Sequence, residues 1–467
     1  MPPKFGTSGL RGLVTELTTA CVTRYMAAFV QSCDMGSGLF VAHDLRESSP
    51  MLADAVAFAA QSHGLRVTFC GPVPTPALAL AAMGAGAAAV MVTGSHIPAD
   101  RNGLKFYTPK GEITKAEEAA ILAALDSPPV DLPMGDRVQD DTVADAYIAR
   151  YTAAFGRVLD GLYIGIYAHS AVGRDLMVQL FEALGAQVIT LGRSDVFVPV
   201  DTEAVPDDIR EQIALWSRKC RAHAIVSTDA DGDRPLLADE TGRIVPGDVM
   251  GQITADFLEA EHVVTPISSN MAVAVGDRFA KVMFTKIGSP HVIAGMAQLA
   301  GRVVGYEANG GFLLGFDAQG PAGPLSPLMT RDAVLPIVAA LAAGRPEGLF
   351  QVVDAESTRF TAADRLQEVP VATSQALVRR LTEDPQAQQT FLARLDGAAV
   401  GVNTLDGLRM TLADGRIVHL RPSGNAPELR LYVEAETAAE AKKTLQTGLA
   451  AIAAEVASAV VPSPDYG

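Results

Sequence analysis

Positive charge is in short supply in this chain. Its 467 residues carry 37 lysines and arginines against 53 aspartates and glutamates, a formal net charge of −16 with a pI near 4.9. A general nucleic-acid or anionic-membrane binder is therefore excluded, because neither polyanion would be attracted over long range. Anionic small molecules are not excluded, but arginines, lysines and backbone amides would have to capture them locally. Cysteine is sparse too: Cys21, Cys33, Cys70 and Cys220 form neither a CxxC pair nor a dense framework, so reduced thiols in the cytoplasm are expected. The opening Met1-Pro2-Pro3-Lys4-Phe5-Gly6 lacks the apolar core of a signal peptide, which fits a cytoplasmic location. Long apolar runs are missing as well. The nearest, residues 77–92, is Ala and Gly with scattered Leu, Met and Val, and reads as helix, turn and strand.

At 49% hydrophobic residues the chain can bury several cores, and its length accommodates three or four domains of roughly 100–200 residues. Apolar strand candidates alternate with amphipathic helical stretches: 38–42, 51–62, 87–92 and 115–125 form one set. The pattern restarts with strand 162–167, helix 174–184 and strand 224–227, and again with strand 263–268, helix 271–279 and strand 302–306. The last hundred residues alternate differently. Strands 408–412, 416–420 and 429–434 read as antiparallel, with a hairpin at Ala413-Asp414-Gly415 and helices at 374–395 and 438–458. The expected fold class is α/β: three similar α/β domains with mixed sheets (1–150, 151–250 and 251–367) and a smaller α+β domain (368–467), arranged around a central cleft.

The sharpest chemical signal is Asp229-Ala230-Asp231-Gly232-Asp233-Arg234, directly after the strand pattern 224–228. In an extended chain Asp229, Asp231 and Asp233 project to one side. Two carboxylates about 4 Å apart repel by roughly 4 kcal/mol at an effective dielectric near 20. An unneutralised cluster would protonate or spread, and a hard divalent cation such as Mg²⁺ relieves it. An EF-hand does not fit, since Arg234 stands where the sharp turn requires Gly and a strand leads in. An aspartyl-phosphate loop of the haloacid-dehalogenase type, with Asp229 as nucleophile, is the other alternative, although Asp233 stands where such loops usually carry Thr or Val.

A second loop, Val92-Thr93-Gly94-Ser95-His96-Ile97-Pro98, follows the strand pattern 87–92. By itself Ser95 reads as a helix cap or turn residue. Its neighbours favour a nucleophile: Gly94 permits close backbone approach, His96 and Lys105 bring titratable groups, and Asn102-Gly103 suggests a tight turn folding Lys105 back toward the hydroxyl. No Gly-x-Ser-x-Gly elbow accompanies it. Two further loops have the composition of anion sites: Gly6-Thr7-Ser8-Gly9-Leu10-Arg11-Gly12, and Arg421-Pro422-Ser423-Gly424-Asn425-Ala426-Pro427 with Arg430 beyond. Glu307-Ala308-Asn309-Gly310-Gly311 puts a carboxylate and an amide at a strand end, a pair suited to sugar hydroxyls.

In order and spacing these loops resemble those of the α-D-phosphohexomutases, the phosphomannomutase/phosphoglucomutase family, over essentially the whole chain. Residues 6–12 resemble its N-terminal loop, 93–105 its phosphoserine loop, 229–234 its Mg²⁺ loop, 307–311 its sugar loop and 421–430 its phosphate loop. Lys286-Ile287-Gly288-Ser289-Pro290-His291 resembles a further substrate-contacting loop. The resemblance implies transfer of phosphate from Ser95 to a hexose phosphate and back, through a hexose 1,6-bisphosphate that also serves as activator. It implies Mg²⁺ on Asp229, Asp231, Asp233 and phosphorylated Ser95, with Arg11, Arg234, His96 and Lys105 as further catalytic groups. Lys286, Gly288, His291, Glu307, Asn309 and Gly310 would meet the substrate, and Arg421, Ser423, Gly424, Asn425 and Arg430 its non-reacting phosphate. Ile97, Asn309 and the Asn425-Ala426 pair depart from the family's usual residues, and the sugar and phosphate loops look most like those of bacterial phosphomannomutases. Mannose phosphate is thus the leading substrate, with glucose or glucosamine phosphates as alternatives and a monomer or homodimer expected.

Overall fold

The computed structural model describes residues 3–6, 9–127, 132–345, 347–356, 358–423 and 427–460. Two compact units emerge. One gathers Met1–Thr265, Arg278–Met283 and Gly288–Asp354; the other gathers Pro266–Asp277, Phe284–Ile287 and Ala355–Gly467.

One layout occurs three times. In the first sheet Leu39–His43 runs parallel to both Val67–Pro72 and Ala88–Val92, and Arg101–Thr108 continues it antiparallel, followed by Leu10–Leu13. In the second, Tyr163–His169 runs parallel to Gln187–Arg193 and Ala224–Thr228, and Pro235–Ala238 closes antiparallel. In the third, His262–Pro266 pairs parallel with Val303–Tyr306, and Phe312–Leu314 and Leu328–Asp332 follow antiparallel. Strands covered on both faces are largely apolar: Ala88–Val92 is apolar and buried at every position, and Ala224–Thr228 is buried throughout, with Ser227 and Thr228 at the end that leads into the aspartate loop. Helices supply the cover. Val22, Met26 and Phe29 of helix Thr19–Ser32 recur at helical spacing on its buried face, with Phe29 packed 4.9 Å from Phe106 between ring centroids. Each such side chain contributes about 1.5–3 kcal/mol by leaving water.

The second unit carries a five-stranded antiparallel sheet in the order Phe360–Gln367, Glu428–Ala435, Ile417–Pro422, Leu408–Leu412, Ala399–Asn403. Its core joins Leu408, Met410, Val418 and Leu431 of the sheet to Leu377, Phe391 and Ile452 of three helices. With the three mixed sheets this makes three α/β domains and a C-terminal domain. Among the described residues no helix is long and apolar enough to cross a membrane.

Three local expectations need correction. The helix expected over 374–395 is two, Val371–Glu383 and Pro385–Ala393: Pro385 cannot continue a helix, and the Asp384 carboxylate caps the second by accepting from the Gln386 and Ala387 amides. The helix expected over 271–279 is one 3₁₀ turn, Met271–Ala274, followed by extended Val275 and by Gly276 at φ +75°. Asn102-Gly103 is no turn but lies within strand Arg101–Thr108. Glycine is required there because a Cβ would sit 2.2 Å from the Leu10 carbonyl oxygen of the paired strand.

Candidate active site

Parallel strands present their following loops at one edge of the sheet, where α/β proteins place their ligands. Strands Leu39–His43 and Ala88–Val92 deliver Asp44, Arg46 and Ser95 this way, and Ala224–Thr228 delivers the three aspartates.

The loop carrying Ser95 is wound around one guanidinium. Arg46, 2% exposed, donates through Nη2 to the carbonyls of Ser95 (2.8 Å) and Ile97 (2.6 Å), and through Nη1 to those of Pro98 (2.8 Å) and Arg101 (3.0 Å). Its Nε donates to Asp44 Oδ2 (3.2 Å), which also accepts from Thr93 Oγ1 (2.7 Å), and that hydroxyl in turn accepts from the Ser95 amide (2.8 Å). Gly94 lies against this guanidinium so closely that a Cβ would approach Arg46 Cζ to 2.7 Å. Ser95 itself is held at φ +53°, a left-handed conformation that is uncommon for a non-glycine residue and that the surrounding bonds maintain.

Ser95 Oγ is fully buried and donates to Asp229 Oδ2 at 2.6 Å. Asp229 Oδ1 accepts from the amides of Asp233 and Arg234, both at 3.2 Å. Asp231 Oδ2 accepts from Thr75 Oγ1 and Lys105 Nζ, each at 2.5 Å, and Asp233 Oδ2 from Lys105 Nζ at 2.5 Å and Arg331 Nη2 at 2.8 Å. The remaining oxygens, Asp231 Oδ1 and Asp233 Oδ1, are buried without a hydrogen bond, although Arg234 Nε lies 3.8 Å from Asp233 Oδ1. One oxygen from each of the three carboxylates lies within 4.8 Å of the others, the one cluster among the described residues able to hold a metal. An all-oxygen set with two unsatisfied carboxylate oxygens suits Mg²⁺. Burial and the neighbouring charges of Asp231 and Asp233 push the Asp229 carboxyl well above its ordinary value. Burial acts the same way on Asp233, but Arg331, Lys105 and Arg234 overcome it and hold that carboxyl low.

The other expected groups fall into two sets. In the first unit, Arg234 Nη1 donates to His96 Nδ1 at 2.9 Å, which leaves the ring proton on Nε2; Ser95 Oγ lies 3.4 Å from the same Nδ1. Burial and the nearby Arg234 and Arg331 lower Arg11 to about 10. Glu307 is 4% exposed and accepts from Arg331 Nη1 at 3.2 Å. Asn309 turns its carbonyl oxygen to the Gly311 amide (3.0 Å), and Gly310 at φ +85° closes the turn by donating to the Glu307 carbonyl (2.9 Å). Gly288, at φ +126°, precedes helix Ser289–Met296, which bears His291. In the second unit, Arg421 and Arg430 are direct cross-strand partners. Like charges so placed repel, and acids answer them: Asp406 Oδ2 is 2.9 Å from Arg421 Nε, and Glu428 Oε2 is 3.7 Å from Arg430 Nη2. Asp406 Oδ2 also accepts from the Ile287 amide at 2.9 Å, next to Lys286. Ser423 is buried, with its amide on the Glu428 carbonyl (2.9 Å), whereas Thr7, Ser8, Gly424 and Asn425 lie outside the described residues.

Sequence reasoning missed Asp44, Arg46, Thr75, Glu112, Asp201 and Arg331. Burial pushes the Asp201 carboxyl up, but Arg234 and the amides of Glu203 and Ala204 hold it low. The Asp44-Leu45-Arg46 triplet, directly after an apolar strand, was a readable signal. Arg331 sits far along the chain between Thr330 and Asp332, in a segment that the sequence reading did not single out.

Comparison with known proteins identifies the family. Models of the phosphoglucomutase/phosphomannomutase family match residues 2–129 (alpha/beta/alpha domain I), 246–359 (alpha/beta/alpha domain III) and 366–450 (C-terminal domain). The chain is 42% identical over 462 residues to a phosphomannomutase of Salmonella muenchen, covering 97% of this chain and 96% of that one. It is 43% identical over 472 residues to a phosphomannomutase of Sinorhizobium fredii, covering 97% and 99%. Phosphoglucosamine mutases are more distant, at 29% for Xanthomonas euvesicatoria. Among solved structures, a phosphoglucomutase/phosphomannomutase family protein of Burkholderia thailandensis shares the fold with a TM-score of 0.76 at 22% identity, covering 96% and 97%. An Aspergillus fumigatus N-acetylphosphoglucosamine mutase, solved with GlcNAc-6P and magnesium, does so at a TM-score of 0.59 and 15% identity, covering 97% and 96%. Matched along nearly its whole length, the chain belongs to the phosphoglucomutase/phosphomannomutase family, the α-D-phosphohexomutases.

Proposed function

We propose that the protein is a cytoplasmic, Mg²⁺-dependent isomerase that interconverts mannose 6-phosphate and mannose 1-phosphate through a phosphorylated Ser95 and a hexose 1,6-bisphosphate. The observation that carries this reading is Ser95 Oγ on Asp229 Oδ2 at 2.6 Å, beside two buried carboxylate oxygens that make no hydrogen bond. The choice of mannose rests on the two phosphomannomutase relatives above 40% identity.

Asp229, Asp231 and Asp233 would hold Mg²⁺, which when bound offsets charge on the transferring phosphoryl group. The chain's own residues do the rest. Arg46 fixes the Ser95 loop, so the hydroxyl needs no reorganisation at the moment of transfer. In the forward half-reaction the phosphorus–Oγ bond of phosphorylated Ser95 breaks, a bond to the sugar oxygen forms, and the proton lost by the sugar hydroxyl is returned to Ser95 Oγ through Lys105 or His96. In the return the Ser95 hydroxyl is the acceptor, and its proton passes the other way, to the sugar oxygen that is released. Arg234, braced on His96, and Arg11 add positive charge beside the aspartates. Glu307 and Asn309 would read sugar hydroxyls, with Gly288, Gly310 and His291, and the family resemblance assigns Lys286 to the substrate as well. Arg421, Ser423, Gly424, Asn425 and Arg430 take the phosphate that does not react.

The test is Ser95→Ala with mannose 1-phosphate and a matching bisphosphate primer. Turnover disappears while hexose phosphate still binds, and an undiminished rate sinks the reading. Mapping the trapped phosphoryl group to Ser95 also separates it from a phosphatase, which would carry the label on Asp229 and release inorganic phosphate.

A further inference from the structure

Arg331 is 1% exposed, at the end of strand Leu328–Asp332, and three carboxylates from three separate segments converge on its guanidinium. Nη2 meets Asp233 Oδ2 at 2.8 Å, Nη1 meets Glu307 Oε2 at 3.2 Å and Nε faces Glu112 Oε1 at 3.5 Å. Two of these carboxylates have assigned tasks, one beside the metal and one beside the sugar. The third does not: Glu112 accepts from Ser289 Oγ at 2.6 Å and from Thr330 Oγ1 at 3.3 Å, and so braces Arg331 from behind.

The position is firmly set. The neighbouring Asp332 carboxylate accepts from Tyr147 at 2.5 Å and also from Tyr151, all three buried, and it caps the Val334 amide at 2.9 Å. The aliphatic part of Arg331 lies on Gly311, where a Cβ would come within 2.9 Å of its Cδ. A planar guanidinium anchored in this way sets the angle between the groups it bridges, because its donors form a rigid fork. By engaging Asp233 Oδ2 it leaves Oδ1, which makes no hydrogen bond, to the aspartate cluster, and by engaging Glu307 Oε2 it fixes the orientation of that carboxylate.

We propose that Arg331 is a positioning residue that couples cation binding at Asp233 to sugar recognition at Glu307. The inference rests on the mutase reading and deepens it: the sugar loop and the metal loop are one mechanical element, and each ligand alters affinity for the other by the same factor.

Two variants test it. Arg331→Lys keeps the charge and loses the fork. Titration calorimetry with Mg²⁺ alone is expected to show about tenfold weaker binding, the usual size of effect for a group that orients a metal ligand. KM for mannose 1-phosphate rises in the same variant by a similar factor while far-ultraviolet circular dichroism is unchanged. Glu307→Asp keeps its charge but withdraws its carboxylate from Arg331, and is expected to weaken Mg²⁺ binding about threefold although Glu307 is not a metal ligand. If Arg331→Lys fails to fold, Glu307→Asp decides alone. Wild-type Mg²⁺ affinity in Glu307→Asp, or an Arg331→Lys protein altered only in melting temperature, overturns the coupling. Because these titrations need no turnover, an enzyme that binds Mg²⁺ but converts no hexose phosphate overturns the mutase reading while leaving the coupling tested.

Discussion

Asp229→Asn is expected to make the metal-free protein more stable and the metal-loaded protein less so. Three buried carboxylates within 4.8 Å of one another repel by at least about 3.5 kcal/mol per pair at an effective dielectric near 20. Neutralising Asp229 removes two of the three pairs, about 7 kcal/mol gross, while the attractions to Arg234 and Lys105 that it forfeits offset most of this. Asparagine Oδ1 still accepts the amides of Asp233 and Arg234, and its Nδ2 donates to Ser95 Oγ where Asp229 accepted. A net gain of about 2 kcal/mol follows, equivalent to several degrees in melting temperature. The pH dependence has a definite sign. A carboxyl raised by folding stabilises the native state below its unfolded value, 3.8, and loses that contribution as pH rises, so the advantage of asparagine grows from about pH 4 toward neutrality. The assay is a pair of melts, in EDTA and in Mg²⁺. At 100 times its dissociation constant Mg²⁺ adds about 2.7 kcal/mol to the wild type and little to the variant. A variant that melts below the wild type in EDTA, or gains equally from Mg²⁺, refutes the electrostatic account of the cluster.

Gly94→Ala should break the Ser95 loop from within, since its Cβ would meet Arg46 Cζ at 2.7 Å; kcat is expected to fall about 100-fold, and a wild-type kcat would show that the loop does not depend on Arg46. Burial lowers His419 and His169 from 6.5 to about 4, so each keeps its stabilising effect above pH 6.5 and loses about 3 kcal/mol as pH falls to 4. In urea titrations of the second unit's unfolding at pH 7.5 and 4.5, His419→Gln should remove most of that acid loss, and an equal drop in variant and wild type would contradict it.

The amino-acid sequence determined the local chemistry and most of the elements. Apolar runs bounded by glycine and charged turns mark the parallel strands, and the spacing Asp229, Asp231, Asp233 announces a group able to hold a cation before any fold is known. Errors arose where one residue outweighed a pattern, as at Pro385, or where a distant partner did, as at Gly103, which looks like a turn residue but exists to let two strands meet. What only the tertiary structure decided is which oxygens remain unsatisfied and who turns them there. Lys105 reaches Asp231 and Asp233 across more than 120 residues, and Arg331 joins Asp233 to Glu307 from strand Leu328–Asp332, about which the sequence pattern says nothing. A guanidinium's partners depend on the crossing of segments remote in sequence. Proximity of that kind leaves no period or spacing in the chain, so a sequence can declare its reactive groups while the geometry that aims them appears only when the sheets pack.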